Sequence, residues 1–243
     1  MSTYMIIGAS SDLGCGLINE ILKDDEAATI IATYGLHNDK LLEIKNREER
    51  ANIKLVSVDL SDANAVDEFA EEYLVDGTDD ELIPDVIYHF AADAYRYNRL
   101  TDWNPDKISR DMQIQVLSMG QILKRAMPLM NKKGAGTVVF TLSSVVGGAG
   151  VLANLSEYAC VKYALLGLMR SATSDYVNQN VKVCAIAPSM IETKFVKGIG
   201  RKLREMSAEM SPLGRNLEVA DVVPELLRLG KSGTHGEISY LPR

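Results

Sequence analysis

Three cysteines in 243 residues, Cys15, Cys160 and Cys184, are too few and too far apart for a disulfide framework or a metal-ligand cluster. Such isolated thiols fit a reducing compartment and small apolar packing roles. Positive charge is also scarce. The 26 Lys and Arg against 33 Asp and Glu leave a net charge of −7. That balance argues against electrostatic capture of nucleic acid or of an acidic membrane surface. No apolar run approaches the ~20 residues that a membrane-crossing helix requires. The chain enters a strand-like "YMIIG" without a basic stretch or long apolar segment, so it does not read as a signal peptide. A cytoplasmic location is expected. Repeats, low-complexity tracts and Pro/Gly/Ser linkers are missing too, so residues 1–243 are expected to form one domain. What is present is 47% hydrophobic residues, enough for a sizeable core, and an ordinary 24% charged residues.

The apolar residues are distributed in alternation. Short β-branched runs occur at 4–8, 28–34, 53–59, 85–90, 137–142, 181–187 and 237–241. Helix-length segments separate most of them, at 14–23, 39–49, 63–74, 106–130, 158–178 and 219–230. Several of the strand runs are apolar almost throughout, as strands covered on both faces must be. The expected fold is α/β: a Rossmann-type, doubly wound parallel sheet of about seven strands with helices on both faces.

The first turn reads "IGASSDLGCG". Gly8 ends a strand and Gly14 opens a helix, so the backbone of Ser10, Ser11, Asp12 and Leu13 can face a pyrophosphate at a helix N-terminus. The alternative is an ordinary strand-to-helix turn capped by "SSD". Asp12 stands where a small residue allows the closest approach. Turned toward the first N–H groups of the helix it would cap them, and it is expected there, facing away from the phosphates.

This turn resembles the TGxxxGxG loop of the short-chain dehydrogenases/reductases, and further motifs of that family follow in order. "VSVDL" (56–60) resembles the strand end whose aspartate binds the adenine edge, which implies Asp59 and Leu60. "HFAAD" (89–93) occupies the NNAG position, with Ala91 and Ala92 beside the cofactor. "TLSSVVG" (141–147) resembles the serine motif, with Ser144 as the catalytic serine, and "YACVK" is the YxxxK motif of Tyr158 and Lys162. "APSMIET" (187–193) resembles the segment that holds the nicotinamide amide, through Pro188, Ser189, Ile191 and Thr193. The similarity spans essentially the whole chain and is nearest to the 3-oxoacyl-[acyl-carrier-protein] reductase-like branch.

The chemistry is coherent with these residue types. Hydride transfer to a carbonyl builds charge on oxygen, which needs a proton as it forms. A free tyrosine, with a pKa of about 10, is a sluggish proton carrier near neutrality. A lysine ammonium close by is expected to lower that pKa. Four-residue spacing sets Tyr158 and Lys162 on one helix face. Ser144 is expected to orient the substrate oxygen, and the resemblance assigns Lys162 a second role on the nicotinamide ribose.

Some positions depart from the family pattern. Gln115 stands where the family's proton relay has asparagine, one methylene longer. The serine-to-tyrosine interval is one residue longer than in close relatives, with "GGAG" (147–150) inside it. His89 and Phe90 replace two asparagines, and Ser189 replaces a glycine. NAD enzymes of this type place an acid at the end of the second strand. Here Gly35 is near that slot, with Tyr34, His37 and Asn38 around it, so NADP(H) is favoured and NAD(H) stays open.

Specificity is expected in 93–103, in 147–157 and in a lid at about 190–215. The lid carries Lys194, Lys197, Arg201, Lys202 and Arg204, which are either a solvated face or a receiver for an anionic or carrier-bound substrate. Met206 and Met210 fit an adaptable apolar lid. The sequence therefore points to an NAD(P)(H)-dependent oxidoreductase acting on a small ketone/secondary alcohol pair, and to a homodimer or homotetramer through helices 106–130 and 158–178. Two rivals are a dinucleotide-binding sensor of the same fold and a nucleotide-sugar epimerase or dehydratase.

Overall fold

Residues 2–48, 51–76, 83–147 and 153–242 are described by a computed structural model. Seven parallel strands form one sheet in the order β3-β2-β1-β4-β5-β6-β7. They are β1 (Thr3–Ile7), β2 (Thr29–Tyr34), β3 (Asn52–Ser57), β4 (Val86–His89), β5 (Gly136–Thr141), β6 (Val181–Pro188) and β7 (Ile238–Leu241). The order reverses between β1 and β4, which opens a crevice beyond the C-terminal strand ends.

Helices cover both faces because both faces of the central strands are apolar. On one face α1 (Asp12–Asp24), α2 (Asp39–Arg47) and α8 (Val219–Ser232) bury Leu17, Ile18, Leu41, Val222 and Leu226 against Ile6, Ile30 and Ile186. On the other, α3 (Ala63–Tyr73), α5 (Ser118–Lys133) and α6 (Ser156–Asp175) bury Phe69, Met119, Ile122, Leu165 and Met169 against Met5, Ile87 and Phe140. Successive strand residues alternate between these two cores, as Ile6 and Ile7 do, in keeping with the two-residue period of the pleat.

The segment expected as one helix over 106–130 is interrupted. It begins as α4 (Pro105–Met112), passes through a π-helical turn at Gln113–Leu117 and continues as α5. The wider i→i+5 turn accommodates one extra residue and is common at functional positions. A further helix, α7 (Arg201–Met210), forms within the expected lid. Residues 148–150 of the "GGAG" insert and the end of the helix expected to run to residue 49 lie outside the described residues.

Among the described residues, no helix is long and apolar enough to cross a membrane. No group of three or more His, Cys, Asp or Glu there could hold a metal ion. Cys15 and Cys184 are buried as expected of small apolar residues, but Cys160 is exposed, because its position on α6 faces away from the sheet.

Candidate active site

The crevice beyond β1, β4, β5 and β6 holds a cavity of about 870 Å³. Its cofactor side is built by the first turn. Gly8 has φ +79°, and a Cβ there would stand 2.7 Å from the Ala91 backbone nitrogen. A Cβ on Gly14 would stand 2.4 Å from the Ala9 carbonyl oxygen. Both positions therefore require glycine for the turn to close against β4 and the helix to close against the turn. Ser10, Ser11, Asp12 and Leu13 line the cavity, as do Ala91, Ala92, Pro188, Ser189, Ile191 and Thr193.

The helix cap differs from expectation. Ser11, not Asp12, is the N-cap of α1, and its hydroxyl accepts from the Gly14 N–H at 3.0 Å. Asp12 is already in the first turn, where its carboxylate accepts from Lys40 Nζ at 2.7 Å and from the Lys194 N–H at 2.7 Å. These donors hold its pKa down against a burial effect in the other direction. The carboxylate is thus spent between α2 and the lid.

Tyr34, Gly35, Asp59 and Leu60 lie at or just beyond the C-terminal ends of β2 and β3, outside the cavity. A Cβ on Gly35 would meet nothing within 4 Å. Asp59 is exposed and accepts from the Ser61 N–H at 2.9 Å and its hydroxyl at 2.6 Å. Those bonds depress its pKa.

On the catalytic side, Tyr158 and Lys162 lie one turn apart on α6 and both line the cavity. Their helix is fixed at its start by the buried Glu157, which accepts from the Asn104 N–H at 2.6 Å. Ser143 and Ser144 both line the cavity; Ser143 is buried, its hydroxyl accepts from the Val145 N–H at 3.4 Å, and it lowers the pKa of Tyr158. Ser144 is exposed, because the chain turns there into a 3-10 helix (Ser144–Val146) that Ser143 caps. Both serines thus border the cavity with Tyr158, Ser143 buried and Ser144 exposed to it.

The expected lowering of the tyrosine pKa is absent as well. Burial raises Tyr158, and Ser143 offsets part of that rise. Lys162 Nζ donates to the Thr141 carbonyl at 3.0 Å and lies 5.8 Å from the centre of the Tyr158 ring. Burial pushes Lys162 down to about 8.

Beneath this pair is a buried polar set. Gln115 sits in the π-helical turn and does not line the cavity; its Oε1 has no hydrogen-bond partner among the described residues. The same holds for Thr141 Oγ1 and for both ring nitrogens of His89. His89 follows the apolar β4 into the crevice, and burial together with the Lys162 charge lowers it to about 3, so it is neutral. A cavity with a glycine-shaped cradle at one end and unpartnered polar atoms at the other suits a dinucleotide bearing a polar reactive head.

A family model described as enoyl-(acyl carrier protein) reductase matches residues 14–241. The chain belongs to the short-chain dehydrogenase/reductase family. It is 25% identical to a 3-oxoacyl-[acyl-carrier-protein] reductase of Thermotoga maritima, over 98% of this chain and 92% of that protein. It is 27% identical to dehydrogenase/reductase SDR family member 4 of Rattus norvegicus over 63% of this chain, but spans only 56% of that relative's length. A structure of a putative NAD(P)-dependent gluconate 5-dehydrogenase from Beutenbergia cavernae, with NADP bound, superposes with a TM-score of 0.86 at 20% identity, covering 98% and 94% of the two chains.

Proposed function

We propose that this protein moves a hydride between NADP(H) and a ketone/secondary alcohol pair, with Ser143, Tyr158 and Lys162 as its catalytic residues. The observation that carries the reading is Tyr158 one helical turn from a buried Lys162, with the two serines after β5 opening on the same cavity as the glycine turn. The nicotinamide, when bound, supplies or takes up the hydride at the carbonyl carbon.

The rest falls to the protein. Tyr158, kept neutral by burial, donates its proton to the carbonyl oxygen as charge develops there. Ser143 offers a second hydroxyl to the same oxygen and sets its direction. Lys162, at about 8, is protonated at neutral pH and favours the transient phenolate until a proton from solvent restores it. Gln115, buried and with its Oε1 unpartnered among the described residues, is proposed to take the relay position and hold a water there. In the alcohol-to-ketone direction every proton moves in reverse.

NADP(H) is the proposed cofactor because no carboxylate occupies the Gly35 slot and the slot is open. Lys40, which the sequence reading passed over, brings a cation to the start of α2 beside Asp12. The NADP-bound neighbour is in keeping with this choice. Asp59 and Leu60 take the adenine edge, and the segment at about 190–215 closes over the substrate. A homodimer or homotetramer in the cytoplasm completes the proposal.

Tyr158→Phe tests it. Turnover should fall by roughly 10²–10⁴-fold, the scale of a positioned acid–base group. NADPH affinity measured by calorimetry, and the melting temperature, should hold. Wild-type turnover in this variant, with chemistry shown to be rate-limiting, removes the tyrosine from the mechanism.

A further inference from the structure

The substrate end of the cavity is walled by rings. Tyr95 stands edge-on to Tyr158, with centroids 5.0 Å apart at 70°, and edge-on to Phe195 at 5.7 Å and 66°. Phe195 closes the triangle at 6.4 Å from Tyr158. The tyrosine that meets the reacting oxygen is therefore one of the three walls. These separations lie within the range in which rings attract one another, so a fourth flat apolar group would find favourable faces and edges there.

The lid adds to this wall. Leu203, Met206, Ser207 and Met210 of α7 face the cavity, at the i, i+3, i+4, i+7 spacing of one helix face. Met210 is 72% exposed although it borders the cavity, which marks an apolar side chain at the mouth. Two cations of the same segment are paired with carboxylates. Arg201 pairs with Glu205 at 2.6 Å, and Arg204 with Glu192 at 3.0 Å. Among the described residues the charged side chains that border the cavity are Asp12, Lys162 and Lys194. Asp12 is held by Lys40, and Lys162 is buried at the catalytic end. A carboxylate or phosphate placed against the rings would lose its water and meet no paired arginine.

We infer that the substrate is an uncharged ketone with a planar, ring-containing apolar body held against Tyr95 and Phe195 and covered by α7. This rests on the carbonyl-reducing assignment above. It replaces the anionic or carrier-bound substrate that the lid cations suggest. The carbonyl oxygen points to Tyr158 and Ser143, and the ring system extends toward the two methionines.

The experiment compares 2-acetylnaphthalene with acetoacetate and butan-2-one, using NADPH and the full chain. kcat/KM for the naphthyl ketone should exceed that for either small ketone by at least about 100-fold, the scale of several apolar contacts in a fitted pocket. Tyr95→Ala and Phe195→Leu should each lower kcat/KM for the naphthyl ketone about tenfold or more relative to that for butan-2-one, with NADPH affinity held. Calorimetry of 2-acetylnaphthalene with the protein alone should give binding that Tyr95→Ala weakens. Preference for acetoacetate, in turnover or binding, overturns the inference and leaves the carbonyl-reducing reading standing. Binding of the naphthyl ketone that Tyr95→Ala abolishes, without turnover of any ketone, supports the apolar site and overturns that reading instead.

Discussion

Replacing Ser143 and Ser144 one at a time separates two neighbours that the sequence presents as equals. Ser143 is buried, caps the 3-10 helix after β5 and lowers the Tyr158 pKa, whereas Ser144 is exposed to the cavity. Ser143→Ala removes a donor aimed at the oxygen where charge develops, a loss of about 10²–10³-fold in kcat, or roughly 2.7–4 kcal/mol in the barrier. It also removes the contact that opposes the rise of the Tyr158 pKa, so the tyrosine becomes a weaker acid. The lost cap costs about 0.5–2 kcal/mol of stability at most, which a melting curve measures separately. Ser144→Ala, which removes an exposed hydroxyl of the same cavity, should cost less in kcat than Ser143→Ala. Single-turnover consumption of NADPH on a reactive ketone reads the chemical step directly. Ser143→Thr keeps the hydroxyl and should recover part of the loss. A large defect in Ser144→Ala beside a near-normal Ser143→Ala would refute the geometry.

Lys162 carries a stability signature of its own. Burial lowers its pKa from 10.5 to about 8, so across that interval the unfolded chain holds a proton that the folded protein has released. Stability from this group therefore rises with pH from about 8 toward 10.5. Lys162→Met should lose that rise, which comparison of melting temperatures at both ends of the interval will show. NADPH should bind more tightly than NADH, and Gly35→Asp, which has room for its side chain, should reverse the order by setting a carboxylate against the 2′-phosphate. Calorimetry decides this, and tighter NADH binding in the parent refutes it.

The strand runs were legible in the sequence because β-branched residues on doubly covered strands leave a continuous apolar signal. "TVVFTL" at 137–142 corresponds to β5 at Gly136–Thr141, and "VKVCAIA" at 181–187 to β6 at Val181–Pro188. The π-helical turn at Gln113–Leu117 left no such mark, because one extra residue shifts the apolar phase without introducing Gly or Pro. Adjacent serines at 143 and 144 are also indistinguishable by composition; only the chain direction after β5 separates them. The Asp12 expectation missed because "SSD" offers several capping residues in a row, and tertiary donors from Lys40 and Lys194 claim the carboxylate. In the lid, charge was the conspicuous pattern. Leu203, Met206 and Met210, sparse among polar neighbours, are what face the cavity.

The crossover from β1 to β4 divides the chain into two trades. The first turn before His89 opens the seat for a nucleotide, while the segments leaving β4, β5 and β6 complete that seat and shape what reacts. Each of those later segments departs from and returns to a fixed strand, so they can be exchanged with those of relatives without rewiring the sheet. Among the bonds that cross the divide, one ties the lid to the first turn, from the Lys194 N–H to the Asp12 carboxylate, spanning 182 positions of chain. Its donor is main chain. A transplanted lid therefore keeps the tie with any residue at 194 except proline, the one residue that has no N–H to give.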